Sequence, residues 1–452
     1  MCGFVIAKNV KQNLEDVVEK IKHRGLSEFK GYATYDNIQL AHYSLPFVNL
    51  DPKVATQPYI YETGHPSLFV GEIFNYDSLG DYKTDMEAIT DLEYRKGPDA
   101  FHDFDGFWSY ATIKPGDKTF GPQIIAYTDY LCQKPLYYRT DVDVVASEID
   151  ILKEFGPVTR NEVFHSNVMK WGYDPRPETP WNEIKQIPPG HYYFEGDVHE
   201  YWDWSKVKTT DLRMDLTKAV HNRLGGEREV SLLLSGGLDS TIIYGLIKGM
   251  DRKVKVIHVD NEESEWSKLA FEYHNSEDEY IGIKLDDITD EEAIKAHQTP
   301  VVLGSVKPQL AMAKKLRDVG SYCVMSGDGA DELFGGYRRA KEYDSQHSDV
   351  FMELPYYHHP RLDRIMMNQT IELRAPFLSA PVVAHALKVP YSKRNGEKKV
   401  LKDIFEFIVP KEIIDRDKKP LKTKKIAKDP MSQRIINEKI WKETNGPNAF
   451  CI

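Results

Sequence analysis

The stretch Glu229–Ile243, EVSLLLSGGLDSTII, limits the fold of this chain more than any other. Val230–Leu234 is a continuous apolar run with the length of a buried parallel strand. Leu238–Met250 carries apolar residues at helical spacing, and Ser235–Gly237 lies between the two runs. The sequence therefore predicts a strand, a glycine turn and a helix, which is the repeating unit of an α/β domain.

This order places the unpaired N–H groups of a helix start beside the carboxyl end of a strand, where they favour an anion. Gly236 and Gly237 allow the backbone to approach a phosphate, while Ser235 and Ser240 add hydroxyl donors. Asp239 would repel a phosphate unless a divalent cation lay between them, so the pattern implies Mg²⁺. A glycine-rich turn without a ligand is the alternative.

The spacing of SGGLDS matches neither the Walker loop nor the dinucleotide fingerprint GxGxxG. It resembles the loop of the ATP pyrophosphatases, which cleave ATP between the α and β phosphates and so adenylate a substrate. The resemblance implies ATP as a substrate and Mg²⁺ held by Asp239. The ATP-binding residues that it implies in this loop are Leu234, Ser235, Gly236, Gly237, Asp239 and Ser240.

Length and composition restrict the class of protein. The 452 residues suffice for two to three domains, and 41% hydrophobic with 29% charged residues is ordinary for a globular chain. A net charge of −11 argues against nucleic acid as the main partner. The four cysteines are too few and scattered for a disulfide framework or a zinc site, and no apolar run is long enough to span a membrane. We expect a cytoplasmic protein that acts on small molecules.

Cys2 is the second candidate for chemistry. Removal of Met1 would leave a residue with both a thiol and a free α-amino group. An α-amine titrates near pH ~8 and can act as the general base for its own thiol, which is the N-terminal nucleophile arrangement. A cysteine that only begins a strand is the alternative from this residue alone.

A series of short motifs follows Cys2 in the order found in the glutaminase domain of asparagine synthetases. The resemblance implies a four-layer αββα sandwich of the N-terminal nucleophile hydrolase type, with a parallel-sheet α/β ATP-pyrophosphatase domain after it. Motifs that carry it are HRG from His23, GEIFN from Gly71, TDME from Thr84, DGFW from Asp105 and KPLYY from Lys134.

The resemblance assigns roles in the first domain and also exposes two departures. Cys2 would attack the glutamine amide, and Gly71, Glu72 and Asp85 would hold the amino-acid end of glutamine. Ser44 stands where the family has an arginine, and Val70 where it has an oxyanion-donating asparagine. Since one lost oxyanion donor costs ~3 kcal/mol, we expect either compensation by neighbours or a poor glutaminase.

A second glycine turn lies within Ser321–Tyr337, SYCVMSGDGADELFGGY. An apolar strand runs into Ser326 and Gly327, and acidic residues follow, which suits a nucleotide, a divalent cation and a carboxylate substrate. The resemblance implies ATP contacts at Ser326 and Gly327, a catalytic Asp328 where many relatives have glutamate, and Mg²⁺ at Asp331. Solvated loop acids are the alternative.

Further positions complete the predicted synthetase site. Val259, at the end of the next strand, matches a family residue whose backbone contacts adenine. Lys398 is in register with a catalytic lysine that neutralises charge at the α-phosphate. Arg416, Lys418 and Lys419 are candidates for additional positive charge near the polyphosphate.

The domain boundary and the acceptor site are the remaining questions. The proline-punctuated segment 156–203 leads out of the first domain, which predicts domains 1–205 and 206–452. The family's threonines and arginine for the aspartate α-carboxylate are missing before Pro308, where only Lys307 carries positive charge. Either Lys307 or an element elsewhere binds this carboxylate, or the acceptor is not aspartate.

The sequence predicts an ATP-dependent amide synthetase of the asparagine synthetase type, using ammonia from glutamine or solution. Aspartate is the first acceptor to consider, and a homodimer is a hypothesis for the assembly. Three alternatives stay open: a related enzyme for another carboxylate, an ammonia-dependent enzyme with a vestigial first domain, and a non-catalytic nucleotide-binding scaffold.

Overall fold

A computed structural model describes residues 2–116, 121–301, 304–337, 351, 353–389, 397–416 and 430–445. The first 200 residues contain two antiparallel six-stranded sheets, as the pairing of their strands shows. In chain order these strands are β1 Gly3–Lys8, β2 Lys30–Tyr35, β3 Ile38–Tyr43, β4 Tyr59–Ile60, β5 Pro66–Ile73, β6 Gly106–Lys114, β7 Gln123–Thr128, β8 Tyr137–Arg139, β9 Val144–Ala146, β10 Ile184–Gln186, β11 His191–Phe194 and β12 Asp197–Glu200.

The two sheets have the orders β10-β8-β9-β1-β3-β2 and β12-β11-β7-β6-β5-β4. Alternation along β1 shows how they are layered. Phe4 and Ile6 pack in the apolar layer between the sheets, whereas Val5 and Ala7 pack against helices on the other face. The predicted four-layer sandwich is thus confirmed.

Short helices cover the outer faces of these sheets. The longest begins after Thr84, whose hydroxyl accepts from Glu87 N at 3.1 Å, and ends at Gly97 with a φ of 66°. The helices of this region are α1 Leu14–Val17, α2 Pro52–Ala55, α3 Tyr76–Leu79, α4 Asp85–Lys96, α5 Ile149–Leu152 and α6 Glu162–Trp171.

The second half contains one parallel sheet with the order β15-β14-β13-β16-β17. Its middle strand is the apolar run predicted to precede the SGGLDS turn. In such a sheet ligands bind outside the carboxyl ends of the strands, at the point where the strand order reverses. The strands are β13 Ser231–Leu233, β14 Lys255–Val259, β15 Tyr280–Ile283, β16 Cys323–Met325 and β17 Glu372–Arg374.

The described helices of the second half are α7 Leu212–Arg223, α8 Leu238–Gly249, α9 Ser264–Tyr273, α10 Asp290–His297, α11 Val306–Asp318, α12 Ala330–Phe334, α13 His359–Met367, α14 Ala380–Lys388, α15 Lys399–Phe405, α16 Lys411–Ile414 and α17 Pro430–Asn445. Within the described ranges, no helix combines the length and apolar character needed to cross a membrane.

Buried ion pairs join the two halves. The guanidinium of Arg24 contacts Glu148 at 3.0 Å within the first half and Asp363 at 2.8 Å on α13 of the second. Lys134 reaches the other oxygen of Asp363 at 3.1 Å. Since all four side chains are almost fully buried, the position of α13 is tied to the first domain by charge as well as by apolar packing.

Candidate active sites

The Cys2 thiol lies buried at the start of β1. Leu45 N donates to Cys2 Sγ at 3.4 Å, and Arg24 Nε donates to Cys2 O at 3.0 Å. Burial raises the pKa of the thiol, so thiolate formation needs a base close to it. The backbone of Cys2 is held in place by Arg24, and the role of its α-amine as that base stays a prediction.

The three predicted glutamine-binding residues lie together at the end of β5. Gly71 has a φ of 137°, and a Cβ there would come within 2.0 Å of Phe107 O, so this position requires glycine. Asp85, the first residue of α4, accepts from Ile73 N at 3.2 Å, which brings its carboxylate beside Glu72. Burial raises the pKa of both carboxyls, and the charge of Glu372 raises them further. An ammonium group bound between the two carboxyls would stabilise their charged forms.

The two departures noted in the sequence are both buried. Val70 packs in the apolar layer together with Cys2. Ser44 Oγ contacts His42 Nδ1 at 2.9 Å and Ala55 O at 3.2 Å, so the hydroxyl is already hydrogen-bonded within the protein. Neither side chain reproduces the arginine or the amide of the family at its position.

The first glycine turn is closed by its own serines. Ser240 Oγ accepts from Ser235 N at 3.2 Å and contacts Ser235 Oγ at 3.0 Å, while Gly237 N donates to Ser235 Oγ at 3.3 Å. Gly236 has a φ of 69°, and a Cβ would meet Ser267 N at 2.3 Å. Leu234, buried at the end of the strand, accepts from Ser267 Oγ at 2.7 Å. Among the described residues no side chain caps the first turn of α8, which leaves that turn suited to an anion.

The second glycine turn touches the first. A Cβ at Gly327 would lie 2.7 Å from Asp239 Cβ, so only glycine permits this approach. Ser326 Oγ donates to Asp328 Oδ2 at 2.7 Å, and the Asp328 side chain remains 32% exposed. The two predicted turns therefore share one site at the carboxyl ends of β13 and β16.

Lys398 joins the acidic residues of both turns. Its Nζ contacts Asp239 Oδ2 and lies 2.5 Å from Asp331 Oδ1. The side chain is only 6% exposed, and Lys398 has a φ of 50° at the start of α15. Gly336 leaves the space that this contact needs, because a Cβ there would meet Asp331 Oδ1 at 1.8 Å. Lys398 is thus a buried cation of the site rather than a solvated lysine.

Val259 and Arg416 border the first turn. Val259 is half-buried at the end of β14, and its carbonyl accepts from Ser264 Oγ at 3.2 Å. Arg416 contacts Glu263, stacks 4.4 Å from the centre of the Trp266 ring and donates to Gly236 O at 3.4 Å. Arg416 therefore places positive charge beside the turn, whereas Lys418 and Lys419 lie outside the described residues.

The segment before Pro308 does not present its lysine to this site. Lys307 pairs with Asp290 at 2.5 Å, and Val301 packs in an apolar cluster with Phe164 and Val168. A different cation lies at the second turn: Arg361 of α13 approaches Asp328 Oδ1 to 3.7 Å. Arg361 could not be identified from the sequence, because no local pattern relates it to the second glycine turn some thirty residues earlier.

Two family models match the chain. The glutamine amidotransferase domain matches residues 1–202. The asparagine synthase model matches residues 211–353 and 341–440, so its matches extend over 230 of the 452 residues, from 211 to 440. The chain belongs to the asparagine synthase family. It is an ATP-dependent carbon–nitrogen ligase with a glutamine amidotransferase domain and small-molecule substrates.

Curated relatives cover most of the chain at low identity. Asparagine synthetase B (glutamine-hydrolyzing) of Escherichia coli K12 is 27% identical and aligns over 92% of this chain and 81% of its own. The probable asparagine synthetase of Schizosaccharomyces pombe is 25% identical over 90% of this chain and 80% of its own. That of Acanthamoeba polyphaga mimivirus is 25% identical over 84% and 75%. The resemblance drawn from the motifs is thereby confirmed.

Proposed function

We propose that this asparagine synthase family member converts aspartate to asparagine at the expense of ATP, with glutamine as the nitrogen donor. An oxygen of the acceptor carboxylate attacks the α-phosphorus of ATP and displaces pyrophosphate. Ammonia then attacks the acyl carbon, and AMP leaves with the electrons of the broken C–O bond. The observation that carries this proposal is the contact of the two glycine turns, with Lys398 between Asp239 and Asp331.

The turns provide the groups that adenylation requires. The uncapped start of α8 suits the phosphates of ATP, and the end of β14 at Val259 suits the adenine. Lys398 is placed to stabilise negative charge that develops at the α-phosphate. Asp328, half-exposed beside the second turn, is the group that would remove a proton from the attacking nitrogen.

Mg²⁺ fits the donor set of this site. Asp239 and Asp331 converge on one point, occupied by Lys398 Nζ, and Asp239 Oδ1 is buried without a hydrogen-bond partner among the described residues. Two carboxylates together with substrate phosphates are a usual magnesium environment. When bound with ATP, Mg²⁺ would neutralise phosphate charge and polarise the α-phosphoryl group.

Glutamine would be hydrolysed at Cys2, with its amino-acid end held by Gly71, Glu72 and Asp85. Burial of the two carboxylates next to each other supports binding of the glutamine ammonium group. The thiol would attack the side-chain amide carbon, ammonia would leave, and water would release glutamate. We place the boundary between this domain and the synthetase domain at residue 205, which the match limits of 202 and 211 support.

An ammonia-dependent synthetase with a weak first domain is the second candidate function. Val70 is apolar at the position of the family's oxyanion donor, and the Ser44 hydroxyl is bound to His42 and Ala55. Val70 would therefore weaken stabilisation of the oxyanion, and Ser44 would weaken binding of the glutamine carboxylate. A cytoplasmic location and a homodimer are further hypotheses, and light scattering of the purified protein tests the latter.

Pyrophosphate release tests the proposed function. Purified protein is incubated with ATP, MgCl₂ and aspartate, with either glutamine or ammonium chloride as the nitrogen source. We expect pyrophosphate and asparagine with both sources. Turnover with ammonium alone would select the second candidate, and the lack of pyrophosphate with aspartate under both conditions would overturn the proposal.

A further inference from the structure

Recognition of the acceptor is the unexplained part of the synthetase site. An acceptor such as aspartate carries a second carboxylate besides the one that is adenylated, and this group needs a cation. Lys307, the charged residue of the expected segment, is paired with Asp290. Val301, earlier in that segment, is buried in an apolar cluster. If the acceptor is aspartate, a cation from another element would have to supply the charge.

Arg361 is such a cation, and its position is defined by three observations. The residue lies on α13, which packs against α11 and β17. Its Nη1 donates to Ser305 Oγ at 2.6 Å, immediately before the start of α11. Its Nη2 lies 3.7 Å from Asp328 Oδ1, beyond hydrogen-bond distance. The guanidinium is thus anchored at one nitrogen and faces the second glycine turn with the other.

The remaining neighbours leave Arg361 available for an anion. Its Nε is buried without a hydrogen-bond partner among the described residues. Glu332, the next acidic group of the turn, contacts Tyr337 and lies 3.3 Å from His358. Asp328 Oδ2 already accepts from Ser326. A substrate carboxylate at Nη2 would replace one loose ion pair by a charge-assisted hydrogen bond.

We infer that Arg361 binds the acceptor carboxylate that is not adenylated, and that Ser305 is the positioning residue for its guanidinium. The inference rests on the proposed function and specifies its acceptor class. Arg361 lies 3.7 Å from Asp328, the residue proposed to take a proton from the attacking nitrogen, so the carboxylate that it binds would belong to the same small acceptor. Acceptors with a single carboxylate, including simple sugar acids, lack the group that Arg361 would recognise.

Arg361→Met tests the inference through substrate discrimination. Aspartate is compared with 3-aminopropanoate, which is aspartate without its α-carboxylate, and pyrophosphate release is measured with ammonium chloride. In the wild-type protein we expect a strong preference for aspartate. In Arg361→Met we expect the KM for aspartate to rise roughly a hundredfold while the KM for ATP stays unchanged, and the preference to collapse.

Lys307→Met is the matched control, because it removes the other cation of this region, and its KM for aspartate should equal that of wild type. Arg361→Lys retains the charge and should give an intermediate KM, since lysine lacks the planar fork. Binding of a non-hydrolysable ATP analogue to each variant shows that the site is folded. An unchanged KM in Arg361→Met, or a rise in Lys307→Met instead, would overturn the inference.

Calorimetry separates failure of this inference from failure of the proposed function. Aspartate is titrated into the wild-type protein and into Arg361→Met, each holding the non-hydrolysable ATP analogue. Binding to wild type and its loss in the variant would support the role of Arg361 even if no turnover were seen. Equal binding by both proteins, or by neither, would contradict it.

Discussion

Single glycines of the synthetase site are required because a side chain at these positions would collide with a neighbouring residue. Gly327 allows the second turn to touch Asp239, and Gly336 makes room for Lys398 next to Asp331. The SGGLDS and SGDGADE motifs identified two turns that lie together in the structure, because each turn can be recognised locally. That the turns touch each other depends on strand order, which neither motif contains.

Gly327→Ala should therefore reduce synthetase activity sharply. A Cβ 2.7 Å from Asp239 Cβ must push the two turns apart, and small displacements of catalytic groups lower rates on the order of a hundredfold. Pyrophosphate release measures the effect. Gly249→Ala is the control, because a Cβ at the end of α8 meets nothing within 4 Å. Equal activity of Gly327→Ala and wild type would contradict the proposed contact.

Lys398→Met should sharply lower the rate of adenylation. The change removes the cation between Asp239 and Asp331, and loss of one charge-stabilising group costs on the order of a hundredfold or more in rate. Lys399→Met serves as the control, since Lys399 is exposed and pairs only with Asp403 in the described structure. Comparable loss in both variants would show that Lys398 has no special role.

At the scale of elements, α13 links the two halves of the chain. Asp363 receives Arg24 and Lys134 from the first domain, and Arg361, half a turn away, faces Asp328. The ordinary helical pattern of this segment gave no sign of either role. The pairs of Asp363 with Arg24 and Lys134 join residues more than two hundred positions apart, so they could not be inferred from local spacing.

Asp363→Asn should destabilise the folded protein by about 3 kcal/mol or more, because it removes the buried carboxylate that Lys134 pairs with and leaves Arg24 with Glu148 alone. Urea denaturation followed by circular dichroism measures the change. Asp403→Asn, which alters an exposed pair, should be close to neutral. A neutral result for Asp363→Asn would mean that the network does not hold α13.

The same network predicts the acid sensitivity of the protein. Burial alone would raise the pKa of Asp363 and Glu148, but Arg24, with Lys134 on Asp363 and His23 on Glu148, lowers both. The unfolded chain therefore binds more protons than the native state below a pH of about 5. Their stabilising contribution is complete above that pH and is lost as the pH falls further. Urea denaturation at pH 7 and pH 4 measures the loss, and Asp363→Asn should lose less than wild type.

For the molecule as a whole, the sequence was sufficient to predict the fold class, the family and the two-domain architecture. These follow from motifs whose order along the chain is distinctive, from Cys2 to Lys398. The acceptor site could not be predicted in the same way, because its proposed cation, Arg361, meets Ser305 only through packing of α13 on α11. The sequence showed that the family's threonines and arginine are missing before Pro308. The structure offers Arg361 as a candidate for their role.

Transfer of labelled nitrogen tests whether this protein uses the amide of glutamine to make asparagine. The full chain is incubated with ATP, MgCl₂, aspartate and glutamine labelled with ¹⁵N at its amide, and the products are analysed by mass spectrometry. We expect ¹⁵N-labelled asparagine together with AMP and pyrophosphate from the wild-type protein. In Cys2→Ala we expect loss of the label, with ammonium-dependent synthesis retained. Unlabelled or absent asparagine from the wild-type protein would contradict this expectation.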